Sequence, residues 1–276
     1  MKVKLLNVIS VLVIGLLLYS FCDGKSLKVT KNNLYKVIRV NGKILFVKTG
    51  QGLKTGDSYI DGTPLSFASN RDRAAIINKI KGRYILQPNQ KGKAIVLQAT
   101  SNVDARTGSA LLNLLDVKNY FSDSIVLIGD VRVTMGKEAF PLNEDNFFYV
   151  TYMYNNEKIA KKLLYEGQEL LMSESKLFEV DGKPIPTLNT EMTLYYMQED
   201  MPKKMSTFYP VFPNSKGLER EVSVLLEGLG EIPTDKKLDE IASYITGFYG
   251  KTQKENLNDW LLKTFDLGIE KETNFK

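Results

Sequence analysis

The side chains that most often carry out chemistry in proteins are scarce in this sequence. Its 276 residues include no histidine and only one cysteine, Cys22. The lack of histidine excludes Ser-His-Asp and Cys-His nucleophiles, and it excludes zinc sites built on imidazole. A single cysteine excludes intrachain disulfide bonds, iron–sulfur clusters and thiolate zinc sites. We therefore predict no cofactor and no metal site.

Carboxylates are the remaining candidates for catalysis, because a hydrolase without histidine needs paired acids or a Ser-Lys pair. Asp130 follows a predicted strand and a glycine, and Glu144 and Asp145 are neighbours in the chain. Their spacing does not distinguish them from ordinary surface acids, and the polar run 143–146 is too short for a calcium-binding loop. We predict no catalytic residue. An enzymatic activity stays open, with a non-catalytic role favoured.

Two features are candidates for binding a partner. Lys79, Lys81 and Arg83 lie close together in a stretch predicted to turn between strands, and exposed positive charge attracts acidic surfaces. We predict that these three residues form a basic docking face and that reversing their charges hardly changes stability. Trp260 lies in a predicted amphipathic helix, where it is either part of the core or an anchor for a partner.

Charge divides the chain into two parts of opposite sign. Residues 22–98 contain 15 basic and four acidic residues, whereas residues 99–276 contain 20 basic and 28 acidic residues. This asymmetry predicts two modules with different surfaces. The basic module would meet a polyanion or an acidic partner, which includes the chain's own second half. The alternative is that its lysines simply solvate the faces of strands.

The N-terminal segment predicts export. Two lysines precede an apolar run from Leu5 to Phe21, which ends at Cys22, and this is the pattern of a secretory signal peptide. A membrane anchor is the alternative, although the run is short for one. The stretch Leu17–Cys22 resembles a lipoprotein signal, with Phe21 in place of the usual small residue. We predict a signal over 1–22 and a periplasmic protein or outer-membrane lipoprotein, held in the membrane by lipid on Cys22, with no nucleic-acid partner.

Residues 30–98 have the pattern of a small β-module. Two β-rich runs, 34–40 and 43–48, flank Asn41-Gly42, which is a strong local signal for a two-residue hairpin. Glycines 50, 52 and 56 do not form a phosphate-binding loop, because no helix follows them and no Gly-Lys-Ser/Thr is present. Further strands are predicted at Pro64–Ser69, Ala74–Asn78, Arg83–Gln87 and Ala94–Gln98.

This arrangement resembles a known type of module. The hairpin is followed by Leu53-Lys54-Thr55-Gly56-Asp57, then by Leu65-Ser66-Phe67, and then by Lys81-Gly82-Arg83-Tyr84-Ile85-Leu86. The series is similar to small SH3-like β-modules of exported proteins from the Bacteroidota and to the periplasmic part of iron-citrate sensor regulators. The resemblance covers about 65 residues. It implies a compact barrel for binding or docking, without catalytic residues.

The second part of the chain predicts further strands and then helices. Residues 117–200 contain several short strands separated by turn signals such as Asn155-Asn156 and Asp181-Gly182, which indicate an antiparallel sandwich or barrel-like domain. In 216–268, apolar residues recur at helical spacing. These residues predict a small helical bundle or a cap on the β-domain.

One aromatic series in this second part has two interpretations. Phe148, Val150, Tyr152 and Tyr154 share one face of the strongest predicted strand. They form either a platform on which a ligand stacks or one face of a packed sheet. We favour the packed sheet, because aromatic residues are common in strands.

Together these features predict a protein that is mainly β with a C-terminal α region. It would consist of a small N-terminal SH3-like β-barrel, an antiparallel β-sandwich or barrel-like domain and a helical bundle or cap. The predicted function is that of a non-catalytic exported envelope protein that docks or scaffolds other envelope proteins. The alternative is an exported protein that binds or hydrolyses glycan or peptidoglycan, with a polyanionic glycan as its partner.

Overall fold

The computed structural model describes residues 33–99 and 110–268, with 40% strand and 23% helix and with one sheet curled into a half-barrel. The predicted fold class, mainly β with a C-terminal α region, is confirmed. The strands are β1 Leu34–Asn41, β2 Ile44–Phe46, β3 Ser58–Ile60, β4 Leu65–Phe67, β5 Arg73–Asn78, β6 Gly82–Pro88, β7 Ala94–Gln98, β8 Ser124–Val126, β9 Val131–Thr134, β10 Asn146–Tyr154, β11 Glu157–Lys162, β12 Leu164–Glu166, β13 Glu169–Met172, β14 Glu179–Val180, β15 Lys183–Pro184, β16 Met192–Gln198 and β17 Met201–Val211. The helices are α1 Leu114–Tyr120, α2 Glu174–Leu177, α3 Ser215–Leu229, α4 Thr234–Phe248 and α5 Lys254–Phe265.

The first sheet is antiparallel and has the strand order β3-β1-β5-β6-β7. Its central strand β5 is buried on both faces. Ala74 and Ile76 pack into one core with residues of β2 and β4, whereas Ala75 and Ile77 pack against the C-terminal helices. A strand covered on both faces has a continuous apolar sequence instead of an alternating one, which explains the run Ala74–Ile77.

The hairpin predicted at Asn41-Gly42 is wrong. Strand β1 pairs with β3 and β5, and β2 pairs with β4. The chain does turn at Gly42, where φ is +90°. A Cβ placed on Gly42 would lie 2.1 Å from Oδ1 of Asp72, so the glycine allows a close approach of the turn before β5. Long-range pairing with the buried strand β5 thus prevails over the local turn signal.

The second sheet has the strand order β11-β10-β16-β17-β8, with β8 parallel to β17 and the other pairs antiparallel. It shares one hydrophobic core with the three-stranded sheet β12-β13-β9 and with α1 and α2. The turns predicted at Asn155-Asn156 and Asp181-Gly182 are confirmed: they connect β10 to β11 and β14 to β15, with positive φ at all four residues.

The last three helices cover the outer side of the first sheet. Helix α3 begins after Asn214, whose Oδ1 accepts a hydrogen bond from the Gly217 backbone N–H at 2.9 Å. One core joins α3, α4 and α5 to residues of β1, β5 and β8. Helix α3 approaches β5 closely, since a Cβ on Gly228 would lie 2.6 Å from Cγ2 of Ile77. The predicted helical cap therefore packs on the N-terminal sheet.

Candidate functional site

The three residues of the predicted basic docking face do not share one surface. Lys79 and Lys81 are exposed in the turn between β5 and β6, but Arg83 is only 6% exposed. Its Nη2 donates to Ser243 Oγ at 2.6 Å, and its Nε donates to Glu240 at 3.3 Å. Arg83 lies opposite Ile77 in the β5–β6 ladder, on the face that the helices cover. The prediction of exposure is therefore wrong for Arg83.

Arg83 belongs to a set of three ion pairs between the first sheet and the helices. Its partner Glu240 lies on α4. The other two pairs join Lys36 to Glu227 and Arg39 to Glu221, and both of these acids lie on α3. Basic residues of the N-terminal part thus meet acidic residues of the same chain, as one of the sequence alternatives predicts.

The other predicted residues lie in different surroundings. Trp260 is partly buried on α5, where its ring packs edge-on against Phe265 with 5.6 Å between ring centroids. This contact is part of the helical core. Cys22 lies outside the described residues, so lipid attachment stays a prediction. Asp130, Glu144 and Asp145 are exposed in loops.

The predicted aromatic series on β10 packs inside the protein. Phe148 and Val150 are fully buried and Tyr152 is 3% exposed. The Tyr152 hydroxyl donates to the backbone oxygen of Leu177 at 2.7 Å, so its polar end is satisfied within the core. The packed-sheet interpretation is confirmed for these three residues. The opposite face of the same strand carries Phe147 and Tyr149, which are partly exposed, and Met153, which is exposed.

We call this opposite face the tyrosine–lysine face. Its central row crosses four strands of the second sheet and consists of Lys162, Tyr149, Tyr195 and Lys204, which are paired in that order by the ladders. The neighbouring rows across the sheet contain no acidic residue; they consist of Phe147, Met197 and Pro202 on one side and of Ala160, Thr151, Thr193 and Thr207 on the other.

The rings of this face stack on one another and on lysine ammonium groups. Tyr149 and Tyr195 are nearly parallel, with 10° between their planes and 5.1 Å between their centroids. Lys158 Nζ lies 5.6 Å from the centroid of Tyr195, and Lys162 Nζ lies 3.9 Å from that of Phe147. Such cation–π contacts hold the ammonium groups near the rings. At least one face of each of these rings is thus covered by a neighbour.

The tyrosine hydroxyls of the face are able to donate hydrogen bonds. Partial burial, followed by the neighbouring Tyr195, raises the pKa of Tyr149 above its ordinary value. The Tyr149 phenol is therefore protonated at neutral pH. Together with the lysine ammonium groups, it makes the face a surface of hydrogen-bond donors that suits carboxylate oxygens.

Two of the cavities in the described part of the chain lie away from this face. One, of about 320 Å³, lies between α4 and α5, and Lys254 at its rim pairs with Asp239 at 3.3 Å. The other, of about 340 Å³, lies where β1, α3 and the end of α4 meet, and Arg39 and Glu221 line it. Only the second cavity is lined by a charged side chain that is itself almost completely buried, namely Glu221.

Comparison with protein-family models, curated sequences and solved structures found no match for this chain. Within residues 33–99 and 110–268, no cluster of three or more acidic or cysteine side chains is placed to hold a metal ion. In the same ranges, no helix combines the length and the hydropathy that crossing a bilayer requires.

Proposed function

We propose that this protein is a non-catalytic exported envelope protein that docks onto an acidic surface of another envelope protein through its tyrosine–lysine face. The observation that carries the proposal is the row Lys162, Tyr149, Tyr195 and Lys204, in which two stacked tyrosines stand between two lysines. Tyrosine is enriched at protein interfaces because it supplies a large contact area at low entropic cost and carries a polar end.

The ring geometry favours a protein over a glycan as the partner. A sugar stacks on an aromatic ring whose face is open. Here Tyr149 and Tyr195 cover each other, and Lys158 and Lys162 lie over the faces of Tyr195 and Phe147. A partner therefore meets hydroxyl and ammonium groups next to these covered ring faces. Carboxylate side chains on a protein surface complement both kinds of donor.

The location of this positive charge differs from the sequence-based expectation. The residues expected to attract an acidic partner were Lys79, Lys81 and Arg83 in the basic part of the chain. The tyrosine–lysine face lies in the acidic part instead. Long-range attraction by its lysines would speed encounter with an acidic partner, and salt would weaken the effect because exposed charges are screened over about 8 Å at physiological ionic strength.

The decisive experiment compares two charge reversals of equal size. The full chain is immobilised and exposed to solubilised envelope proteins, and bound proteins are identified at low and high salt. We expect Lys162→Glu with Lys204→Glu to abolish retention of acidic partners, and Lys79→Glu with Lys81→Glu to leave it unchanged. Equal losses in both double variants would show that only net charge matters, and the proposed face would be rejected.

A second arm of this experiment tests the glycan alternative. Insoluble cell wall is incubated with the same three proteins and sedimented. We expect the wild-type chain to stay in the supernatant. Sedimentation of the wild type that is lost with Lys162→Glu and Lys204→Glu would replace the protein partner with a polyanionic glycan.

Anchoring in the membrane is a separate part of the proposal and rests on the N-terminal pattern. We expect Cys22→Ser to release the protein from the membrane fraction and to abolish incorporation of labelled fatty acid. Absence of label in the wild type would show that Cys22 is not lipidated, while the docking face could still be tested on the soluble protein.

A further inference from the structure

The cavity of about 340 Å³ next to Arg39 adjoins a group of polar side chains that fix one guanidinium in place. Glu221 Oε1 accepts a hydrogen bond from Arg39 Nη1 at 2.7 Å. Its other oxygen, Oε2, accepts from the hydroxyls of Tyr244 at 2.5 Å and Tyr249 at 2.6 Å. Arg39 Nε donates to Asn41 Oδ1 at 2.7 Å, so the guanidinium is held from two sides.

One edge of this guanidinium takes no part in the network. The bonds to Glu221, Asn41 and Tyr249 use Nη1 and Nε of Arg39, and none of them uses Nη2. The side chain of Arg39 is 27% exposed, whereas that of Glu221 is 7% exposed. The carboxylate is thus buried with both oxygens bonded, while the Arg39 side chain stays partly accessible and lines the cavity.

The remaining walls are mainly apolar and aromatic. Phe212, Pro213, Phe248 and the Tyr249 ring line the cavity, and the Tyr249 ring also lies under the guanidinium, 4.2 Å from Arg39 Cζ. The volume lies at the lower end of the range for small-molecule pockets, which typically combine apolar walls with a few fixed polar groups. An arginine that is already fixed loses little side-chain entropy when it binds a carboxylate.

We propose that this cavity binds a small carboxylate with a compact apolar body, which meets the Nη2 edge of Arg39 through its carboxylate and the aromatic walls through its body. A purely structural ion pair would need neither the cavity nor the exposed part of Arg39. The proposed site uses no residue of the tyrosine–lysine face and is independent of the docking function.

Benzoate and its neutral analogue benzamide are the probes for this site. Each is titrated into the full chain, and binding is followed by chemical-shift changes of the Phe248 and Tyr249 ring resonances. We expect benzoate to bind at least tenfold more tightly than benzamide. Equal affinities, or shift changes confined to other residues, would overturn the proposal.

Variants separate the charge from the cavity. Arg39→Gln combined with Glu221→Gln removes both charges without leaving a buried unpaired ion, and we expect it to abolish the preference for benzoate. Glu221→Gln alone removes the competing carboxylate and should increase the preference. A preference that survives in the double variant would overturn the proposed role of Arg39.

Gly217→Leu keeps the polar network and is the test that does not depend on the stability of the charge variants. Gly217 lines the cavity, and a Cβ there would have Asn214 Oδ1 as its nearest neighbour at 3.4 Å, an ordinary contact distance. We expect the added side chain to weaken benzoate and benzamide binding by similar factors. Unchanged binding of both probes would show that they do not occupy this cavity.

A second pair of probes distinguishes the source of the carboxylate. N-acetyl-phenylalanine mimics the C-terminal residue of a peptide, and its amide is the control. Binding of N-acetyl-phenylalanine with the same dependence on Arg39 would identify chain termini as ligands. Binding of benzoate alone would identify a free small acid.

Discussion

Two regions of the molecule contain similar chemical groups in opposite settings. One is the junction between the first sheet and the helices, and the other is the tyrosine–lysine face. At the junction, Arg39 and two tyrosines surround the buried carboxylate of Glu221. On the face, lysines and stacked tyrosines stand on the outer side of a sheet, and neither their own row nor the two adjacent rows contain an acid. Arg39 and Arg83 of the basic part thus direct their charge towards the helices, whereas the lysines of the tyrosine–lysine face direct theirs outward. Net charge of a segment does not determine where that charge is accessible.

The two settings also imply different energetic roles. A buried charge whose partner is removed loses its compensation and destabilises the fold strongly, whereas exposed charges are solvated and contribute little. Substitutions at the junction should therefore act on stability, and substitutions on the tyrosine–lysine face should act on binding.

The largest effect is expected for Glu221→Ala. The variant leaves Arg39 partly buried without its acid, and it leaves the buried hydroxyl of Tyr244 without its acceptor. We expect the free energy of unfolding in urea to fall by about 3–5 kcal/mol. Glu227→Ala is the matched control, because Glu227 is 56% exposed in its pair with Lys36. Since exposed ion pairs contribute little to stability, this variant should unfold at nearly the same urea concentration as the wild type. Similar losses of stability in both variants would contradict the conclusion that the buried carboxylate of Glu221 stabilises the fold.

Arg83→Glu should give the second largest effect. The reversed charge would be buried next to Glu240 and would lose the bond to Ser243, so we expect a loss of about 3 kcal/mol. Lys81→Glu, two residues away in an exposed turn, should change stability by less than about 0.5 kcal/mol. If Arg83→Glu is as stable as the wild type in the same urea titration, Arg83 is exposed, as the sequence pattern predicts.

Arg83 also shows where sequence reasoning reached its limit. The turn before it was predicted correctly, because charged residues surround Ile80 and Gly82 at this point of the sequence. The side of the sheet on which the Arg83 side chain lies depends on its pairing with Ile77 and on helices more than 150 residues later in the chain. Local sequence patterns do not contain that information. The hairpin at Asn41-Gly42 was wrong for the same reason, since the partner of β1 is a distant strand.

Elements with strong local patterns were predictable. The buried series on β10, the turn at Asn155-Asn156 and the apolar stripes of the C-terminal helices agree with the structure. The tyrosine–lysine face was missed because only one face of β10 was considered. The sequence does contain a pattern that indicates this face. Phe147 and Tyr149 alternate with the buried residues of β10, and Lys158 and Lys162 lie at the two ends of one face of β11.

The tyrosines of the junction make stability depend on pH above neutrality. Burial, together with the adjacent Glu221 carboxylate, raises the pKa of both Tyr244 and Tyr249. In the unfolded chain a tyrosine ionises near pH 10, so above that pH the folded state retains more protons than the unfolded state. The contribution of these two tyrosines to the free energy of unfolding is therefore constant below about pH 10, and it falls as the pH rises further.

The expected slope is about 1.4 kcal/mol per pH unit for each such tyrosine. We would measure it by urea unfolding at closely spaced pH values above 10. Tyr249→Phe cannot ionise and should reduce the slope by the contribution of one group. A slope that is unchanged in Tyr249→Phe would mean that Tyr249 ionises as easily in the folded protein as in the unfolded chain.

Only a small effect on stability is expected for the double variant that should have the largest effect on binding. Lys162→Glu with Lys204→Glu removes the cation–π contact of Lys162 with Phe147, which is worth about 0.5–1 kcal/mol at an exposed site. Because no acidic residue in the aligned rows pairs with either lysine, the double variant should lose no more than about 1 kcal/mol in urea. A loss above about 2 kcal/mol would show that these lysines hold the sheet together. The face would then serve the fold as the junction does, and its outward charge would no longer argue for a partner.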